Sequence, residues 1–229
     1  MKAIVRCQNL HKIYHQGEIE VHALRGVDLN VENGEFTALA GPSGSGKTTL
    51  LNLIGGLDRF DEGDVTINDY KLSGLGNREK TELRLRHIGF IFQAYNLIPV
   101  LSALENVEYI MLLQGVSGKE RGQRARSILD EVGLGEMIDR RPHEMSGGQQ
   151  QRVAVARALV TEPDIILADE PTANLDSQTA RSLLHIMQKM NERHGVTFVF
   201  STHDTRVMEC ARRIVTLRDG KVHKDEQKG

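Results

Sequence analysis

Eight residues, Gly41, Pro42, Ser43, Gly44, Ser45, Gly46, Lys47 and Thr48, fit the phosphate-cradling pattern G-x-x-x-x-G-K-[ST] at every fixed position. Gly41, Gly44 and Gly46 would let the backbone approach the phosphates, with N–H groups aligned at the positive end of a helix. Lys47 would add a point charge between the β- and γ-phosphates, and the Thr48 hydroxyl would ligate Mg²⁺. Pro42, Ser43, Ser45 and Thr49 complete the candidate nucleotide-binding set. About 120 residues on, Asp169 and Glu170 close the apolar run Ile165–Ala168. Beside a phosphate loop, Asp169 suits a direct or water-mediated Mg²⁺ ligand, and Glu170 suits the group that orients or deprotonates the attacking water. Taken alone, the two read equally as an ordinary acidic pair at a strand end. Ser146, Gly147, Gly148 and Gln149 open a further helical run. Two glycines and a hydroxyl there make either a second anion site or a simple cap. Two anion sites for one nucleotide invite a second copy of the chain.

Such a loop works only between a strand and a helix. Phe36–Ala40 reads as the strand, and residues 49–54 read as the helix, interrupted by Gly55 and Gly56. Upstream, Val27, Leu29 and Val31 alternate with Asp28, Asn30 and Glu32, the period of a half-buried strand. Asn33-Gly34 is a hairpin signal joining that strand to the next. From about Asn96 to Val160 the pattern is largely helical, strongest over 124–132 and 149–160. Strand-like runs return at Ile165–Ala168, 197–201 and 214–217, separated by helical patterns such as 178–192. Arg218 to Lys221 makes a last turn, and 222–229 reads as a polar, frayed tail. This alternation implies an α/β fold with a mostly parallel sheet, helices on both faces and an inserted helical block.

At 229 residues the chain suits one substantial α/β domain. A net charge of −2 supplies no overall field toward nucleic acid or anionic lipid. With 4% aromatic residues and no Trp, a base-stacking surface is not the main business. Cys7 and Cys210, with no CxxC pair, suit a reducing compartment and an inert role. Residues 1–6 lack the long apolar stretch of a signal peptide, and no 18-residue apolar run is present to span a membrane. His11, His15, His22, His185 and His194 show no metal-ligand spacing. The mixed charges of Arg78 to His87 suit a solvated helix face.

As a set, these motifs resemble those of ATP-binding cassette (ABC) transporter ATPase subunits, from about Val5 to Lys221. Gly41–Thr48 matches the Walker A motif, Met145–Gln149 the signature, Ile165–Glu170 the Walker B motif and Asn174-Leu-Asp176 the D-loop. The Q-loop matches at Phe92-Gln93 and the H-loop at Ser201-Thr-His-Asp204. The resemblance implies a P-loop NTPase fold with an N-terminal antiparallel β subdomain and an inserted α-helical subdomain. It divides the single domain 1–229 into an ATP-binding core (1–95 and 161–229) and a helical subdomain (about 96–160). It also implies ATP and Mg²⁺ as cofactors. Tyr14 would stack on adenine, and Gln93 would contact Mg²⁺ and the attacking water and link the site to a membrane partner. His203 would hold the γ-phosphate. Ser146, Gly147, Gly148 and Gln149 would reach the nucleotide of the opposite subunit, with Asp176 at the dimer interface. Met145 replaces the usual Leu, and Ala173 stands where relatives often have Gly.

The wording around the motifs, such as Leu53-Ile-Gly-Gly-Leu-Asp58 and Asn96-Leu-Ile-Pro99, resembles the LolD/MacB/FtsE group. That group implies an integral membrane permease partner, no nucleic acid, and a peripheral place on the cytoplasmic face of the inner membrane. Tyr95, Leu97 and Ile98 are then candidate partner contacts or, equally, subdomain core. Two rival readings stay open: a non-transport ABC ATPase acting on DNA or ribosomes, and a nucleotide-gated scaffold. Intact Glu170 and His203 speak against the scaffold.

Overall fold

Two sheets divide the strands, and the phosphate loop lies at the seam between them. The computed structural model describes residues 3–228. Met1, Lys2 and Gly229 lie outside the described residues, and with them the start of the N-terminal stretch and the end of the polar tail. Strands β1 (Ala3–Gln16) and β2 (Ile19–Glu32) form an antiparallel hairpin around Gly17, whose φ is 63°. The alternation in β2 is realised, with Val27, Leu29 and Val31 buried and Asp28 and Asn30 exposed. Next in the chain come β3 (Phe36–Ala40), α1 (Lys47–Ile54), β4 (Glu62–Ile67) and β5 (Tyr70–Lys71). Strands β2, β1, β4 and β5, in that order, make the first, antiparallel sheet.

The chain continues through α2 (Asn77–His87), β6 (Ile88–Ile91), α3 (Ala103–Leu113), α4 (Gly118–Glu131) and α5 (Gly147–Leu159). It then alternates through β7 (Ile165–Ala168), α6 (Ser177–His194), β8 (Thr197–Thr202), α7 (Thr205–Glu209), β9 (Arg213–Arg218) and β10 (Lys221–Gln227). The second sheet runs β10-β9-β3-β8-β7-β6, parallel except for β10. Its central strands are buried on both faces, which is why they read as continuous apolar runs rather than alternations. Leu39, Leu167, Val199 and Val215 face α1 and the first sheet, while Phe36, Ala38, Ile166, Phe198 and Phe200 face α5 and α6. The cores on the two sides clamp the sheet whose ends carry the motifs. Among the described residues, no helix is long and apolar enough to cross a membrane.

Two sequence expectations are corrected. Asn33-Gly34 makes a turn but no hairpin: β2 pairs with β1, whereas β3 pairs with β8 and β9 in the other sheet. The tight hairpin turn needs left-handed backbone at both central residues, and here only Gly34 has a positive φ, of 78°. The strands therefore splay instead of pairing. At Asp219-Gly220 both values are positive, 49° and 74°, and a true hairpin forms. The supposedly frayed tail consequently folds back as β10, antiparallel to β9. Its polarity is that of an edge strand, pinned by the fork of Arg213, which donates from Nε to Asp225 Oδ1 at 2.8 Å and from Nη2 to Oδ2 at 2.7 Å.

Candidate functional site

The phosphate loop joins the end of β3 to the start of α1, with φ of 146°, 77° and 103° at Gly41, Gly44 and Gly46. At Gly41 a Cβ would come within 2.3 Å of the Leu217 carbonyl oxygen, and at Gly46 within 2.6 Å of the Ala23 oxygen. These two glycines seat the loop against β9 and β2. Gly44 has nothing within 4 Å of that position and faces open space. Helix α1 begins without a side-chain cap and without an acidic residue in its first turn. Its first N–H groups thus remain for an anion. Lys47, buried, donates from Nζ to Gly41 O at 2.8 Å and Pro42 O at 2.9 Å. Burial draws its pKa down from the ordinary lysine value, against the pull of nearby Glu170 and Asp169. Ser45 Oγ is buried with no hydrogen-bond partner among the described residues.

Strands β7 and β8 bring the acidic pair to the same sheet edge. Thr48 Oγ1 donates to Asp169 Oδ1 at 3.0 Å, and Ser201 Oγ donates to the same oxygen at 2.7 Å. Ser201 Oγ also accepts the Glu170 amide at 2.8 Å. Glu170 has a φ of 44°, the left-handed region that a residue with a side chain seldom enters. Such a conformation persists where the surroundings hold it, and Ser201 is one of the holds. The turn points the Glu170 carboxylate at His203, whose Nδ1 lies 3.1 Å from Oε1. Lys47, Thr48, Asp169, Glu170 and His203 thereby converge on one end of the sheet.

Tyr14, on β1, sits to one side of this group. Its hydroxyl donates to Asp58 Oδ2 at 2.8 Å, and the Lys12 ammonium lies 4.9 Å from its ring centroid. Lys12 in turn donates to Asp58 Oδ1 at 3.2 Å and Arg59 O at 2.7 Å. Burial, then the bond to Asp58, raises the tyrosine pKa. The arrangement fixes the ring rigidly, with a cation over one face.

The other motif residues stand apart from this cluster, each in a local structural role. Gln93 is exposed, and its carbonyl accepts Asn174 Nδ2 at 3.0 Å. Ser146 caps α5: its hydroxyl accepts the Gln149 amide at 3.3 Å while Gln149 Oε1 accepts the Ser146 amide at 2.9 Å. Gly147 and Gly148 lie so close to the Tyr95 hydroxyl and the Thr179 methyl that a Cβ would meet them at 2.7 and 2.4 Å. Asp176 caps α6, accepting the amides of Gln178 and Thr179, and its bonds to Thr179 lead in lowering its pKa. Leu97 packs on the core, Tyr95 is half-buried against Gly147, Ile98 is half-buried, and Val100 is exposed.

Sequence reading assigned no role to Ser201, Lys12, Asp58, Asn174, Gln151 or Arg157. Ser201 had a signal, a hydroxyl ending an apolar strand beside the acidic pair. For Gln151 and Arg157 there was none, because both act on main-chain carbonyls.

The ABC transporter family model matches residues 24–173. An ABC transporter ATP-binding protein of Thermotoga maritima is 48% identical over 229 residues, covering 100% of this chain and 97% of the relative. The lipoprotein-releasing system ATP-binding protein LolD of Saccharophagus degradans is 41% identical, with 98% of each chain covered. The macrolide export ATP-binding/permease protein MacB of Syntrophobacter fumaroxidans is 48% identical over 95% of this chain, which spans only 31% of that relative. Among solved structures, a dimeric ATP-binding cassette in a post-hydrolysis state with ADP and Pi bound is 46% identical. It superposes with a TM-score of 0.90 over 98% of this chain and 99% of that one.

Proposed function

The chain belongs to the ABC transporter family, and we propose that it is the ATP-hydrolysing subunit of a transporter of the lipoprotein-release or macrolide-efflux type. Two copies clamp two ATP molecules and drive an integral membrane permease from the cytoplasmic face of the membrane. The observation that carries this reading is the convergence of Lys47, Thr48, Asp169, Glu170 and His203 at one sheet edge.

Transfer of the terminal phosphoryl group to water makes a bond from water oxygen to γ-phosphorus and breaks the bond to the β–γ bridging oxygen. Little covalent work falls to the protein, so its contribution is position and charge. Glu170 accepts the proton that water sheds, and the His203 ring beside that carboxylate would hold the γ-phosphate. Lys47 exchanges its two carbonyl partners for phosphate oxygens. The first-turn amides of α1 meet the remaining charge. Tyr14 offers its free face to the base.

Mg²⁺ fits the donor set. Thr48 Oγ1 and Asp169 Oδ1 are 3.0 Å apart, and adjacent corners of an octahedron with ligands at about 2.1 Å are also about 3.0 Å apart. Bound there, with Gln93 as a further ligand, the ion would neutralise charge developing on the phosphate oxygens. Ser146 uses its oxygen as an acceptor within its own cap, so its proton is available to the phosphate of the second copy. Gly147, Gly148 and Gln149 would flank that phosphate, and Asp176 would lie at the seam between copies. The division into a core (1–95, 161–229) and a helical subdomain (about 96–160) belongs to the same reading.

Glu170→Gln tests it. ATP binding should persist, phosphate release should fall by about a hundredfold to ten-thousandfold, and ATP should shift the chain to a dimer in size-exclusion chromatography. Unchanged turnover would refute the role of Glu170; DNA stimulation without a response to a reconstituted permease would refute the transporter reading.

A further inference from the structure

The loop that follows β6 makes two turn bonds of its own, from Tyr95 N to Phe92 O at 3.2 Å and from Asn96 N to Ala94 O at 2.6 Å, and side chains from elsewhere bind its carbonyls. Phe92 O accepts from Gln151 Nε2 at 3.4 Å, and Gln151 Nε2 also reaches Pro171 O at 2.8 Å. Gln93 O accepts from Asn174. Tyr95 O accepts from Arg157 Nη2 at 2.9 Å, and Asn96 O accepts from Arg157 Nη1. Tyr95 and Asn96 are consecutive non-glycine residues with φ of 59° and 50°, the one such adjacent pair among the described residues. Left-handed backbone at two successive side-chain-bearing residues is unfavourable and persists only where something outside the segment imposes it.

Arg157 supplies that constraint. It sits on α5 at the floor of a cleft of about 400 Å³ whose apolar walls include Phe92, Ile110 and Leu85. Burial lowers its pKa, and among the described residues no carboxylate forms an ion pair with it. A half-buried guanidinium without a counter-charge is costly, and among the described residues its bonds go to those two carbonyls. The same helix begins at Ser146, so the guanidinium joins the signature helix to the segment carrying Gln93.

We propose that Arg157 is a positioning residue for Gln93: by binding the Tyr95 and Asn96 carbonyls it holds the loop in its doubly left-handed turn and ties it to the helix headed by Ser146. This rests on the role given to Gln93 above. Arg157 binds the Tyr95 and Asn96 carbonyls and acts through the loop.

The test uses the full-length chain, with ATP titration and steady-state phosphate release for Gln93→Ala, Arg157→Met and the double variant. Arg157→Met should lower kcat by about tenfold to a hundredfold with KM for ATP changed by less than about twofold. In the Gln93→Ala background the same substitution should change kcat by less than about twofold. Adding Asn96→Gly to Arg157→Met should restore at least about threefold, because glycine enters the left-handed region without strain. Should Arg157→Met fail to fold, Arg157→Lys, which keeps the charge but not the fork, should give the same pattern at smaller amplitude. Equal losses in both backgrounds, or a raised KM with unchanged kcat, would overturn the inference while leaving the role of Gln93 standing. Full activity in Gln93→Ala would bring down both.

Discussion

Ser201 offers the sharpest quantitative handle on the site. Its hydroxyl, fully buried, donates to Asp169 Oδ1 at 2.7 Å and accepts the Glu170 amide at 2.8 Å. Ser201→Ala removes one oxygen and leaves two groups short of partners. The Asp169 carboxylate keeps Thr48, so its loss is one bond to a charged acceptor, about 1.5–3 kcal/mol in a buried setting. Because that carboxylate is only half-buried, the lower half of the range applies. The Glu170 amide loses a recorded partner at a backbone φ of 44°, and an unsatisfied buried donor costs about 1–3 kcal/mol. The two effects share one atom and do not add fully, so a loss of about 2–3 kcal/mol is expected. For a domain of this size that is a fall in Tm of about 4–12 °C. Turnover should fall further than stability alone explains, since Glu170 loses one of the contacts holding its turn. Thermal unfolding by circular dichroism gives the first number, and phosphate release well below the new Tm gives the second. A Tm within a degree of the parent and unchanged kcat would refute the claim that Ser201 holds the acidic pair.

Other outcomes are equally accessible. Lys47→Ala should weaken ATP binding by at least about tenfold in a fluorescent-nucleotide titration, since a charge-assisted contact to phosphate is lost; unchanged affinity would contradict its placement. Arg213→Met should cost about 1–3 kcal/mol in urea unfolding, because Glu35, bonded at 2.9 Å, loses its cation, and amides of 221–227 should exchange faster with deuterium. Asp64 titrates below the usual carboxylate range: burial pushes it up, but bonds from Ser73, Lys71 and the Val65 amide outweigh burial. A depressed folded-state pKa stabilises fully above the unfolded value near 4 and loses that effect as pH falls through the folded one. Asp64→Asn should therefore lower the urea midpoint at pH 7 and by visibly less at pH 3; an equal loss at both pH values would exclude this linkage.

The parts of the fold that sequence reading located best are those where one local rule decides the matter. Strand β3 and the end of α1 were placed to the residue, because an apolar run meets glycines on both sides. Strand β10 was missed because an edge strand of Lys, His, Asp and Glu carries no apolar period. It forms through a turn geometry and through Arg213, neither of which shows in hydropathy. The Asn33-Gly34 signal failed for a related reason: the dipeptide permits a tight hairpin, and the pairing of β3 with β8 and β9 overrides it. At the site, Lys47, Thr48, Asp169 and Glu170 were legible from type and spacing, and Tyr14, Gln93 and His203 only through the family resemblance. Of those that hold them, Ser201 behind Glu170 carried a signal, whereas Asp58 behind Tyr14 and Arg157 behind the loop after β6 did not. Their partners are backbone atoms or residues dozens of positions away, and no pattern along the chain encodes those meetings.

One consequence concerns how the loop waits. The Lys47 ammonium is buried and already bonded to Gly41 O and Pro42 O. Stripping water from an isolated ammonium costs several kcal/mol, and here the chain meets that cost as it folds. An arriving triphosphate would replace two neutral carbonyl acceptors on that ammonium with charged phosphate oxygens. On the proposed function, capture is then a swap of ligands on a cation already set in place, an event separate from the closing and parting of the two copies.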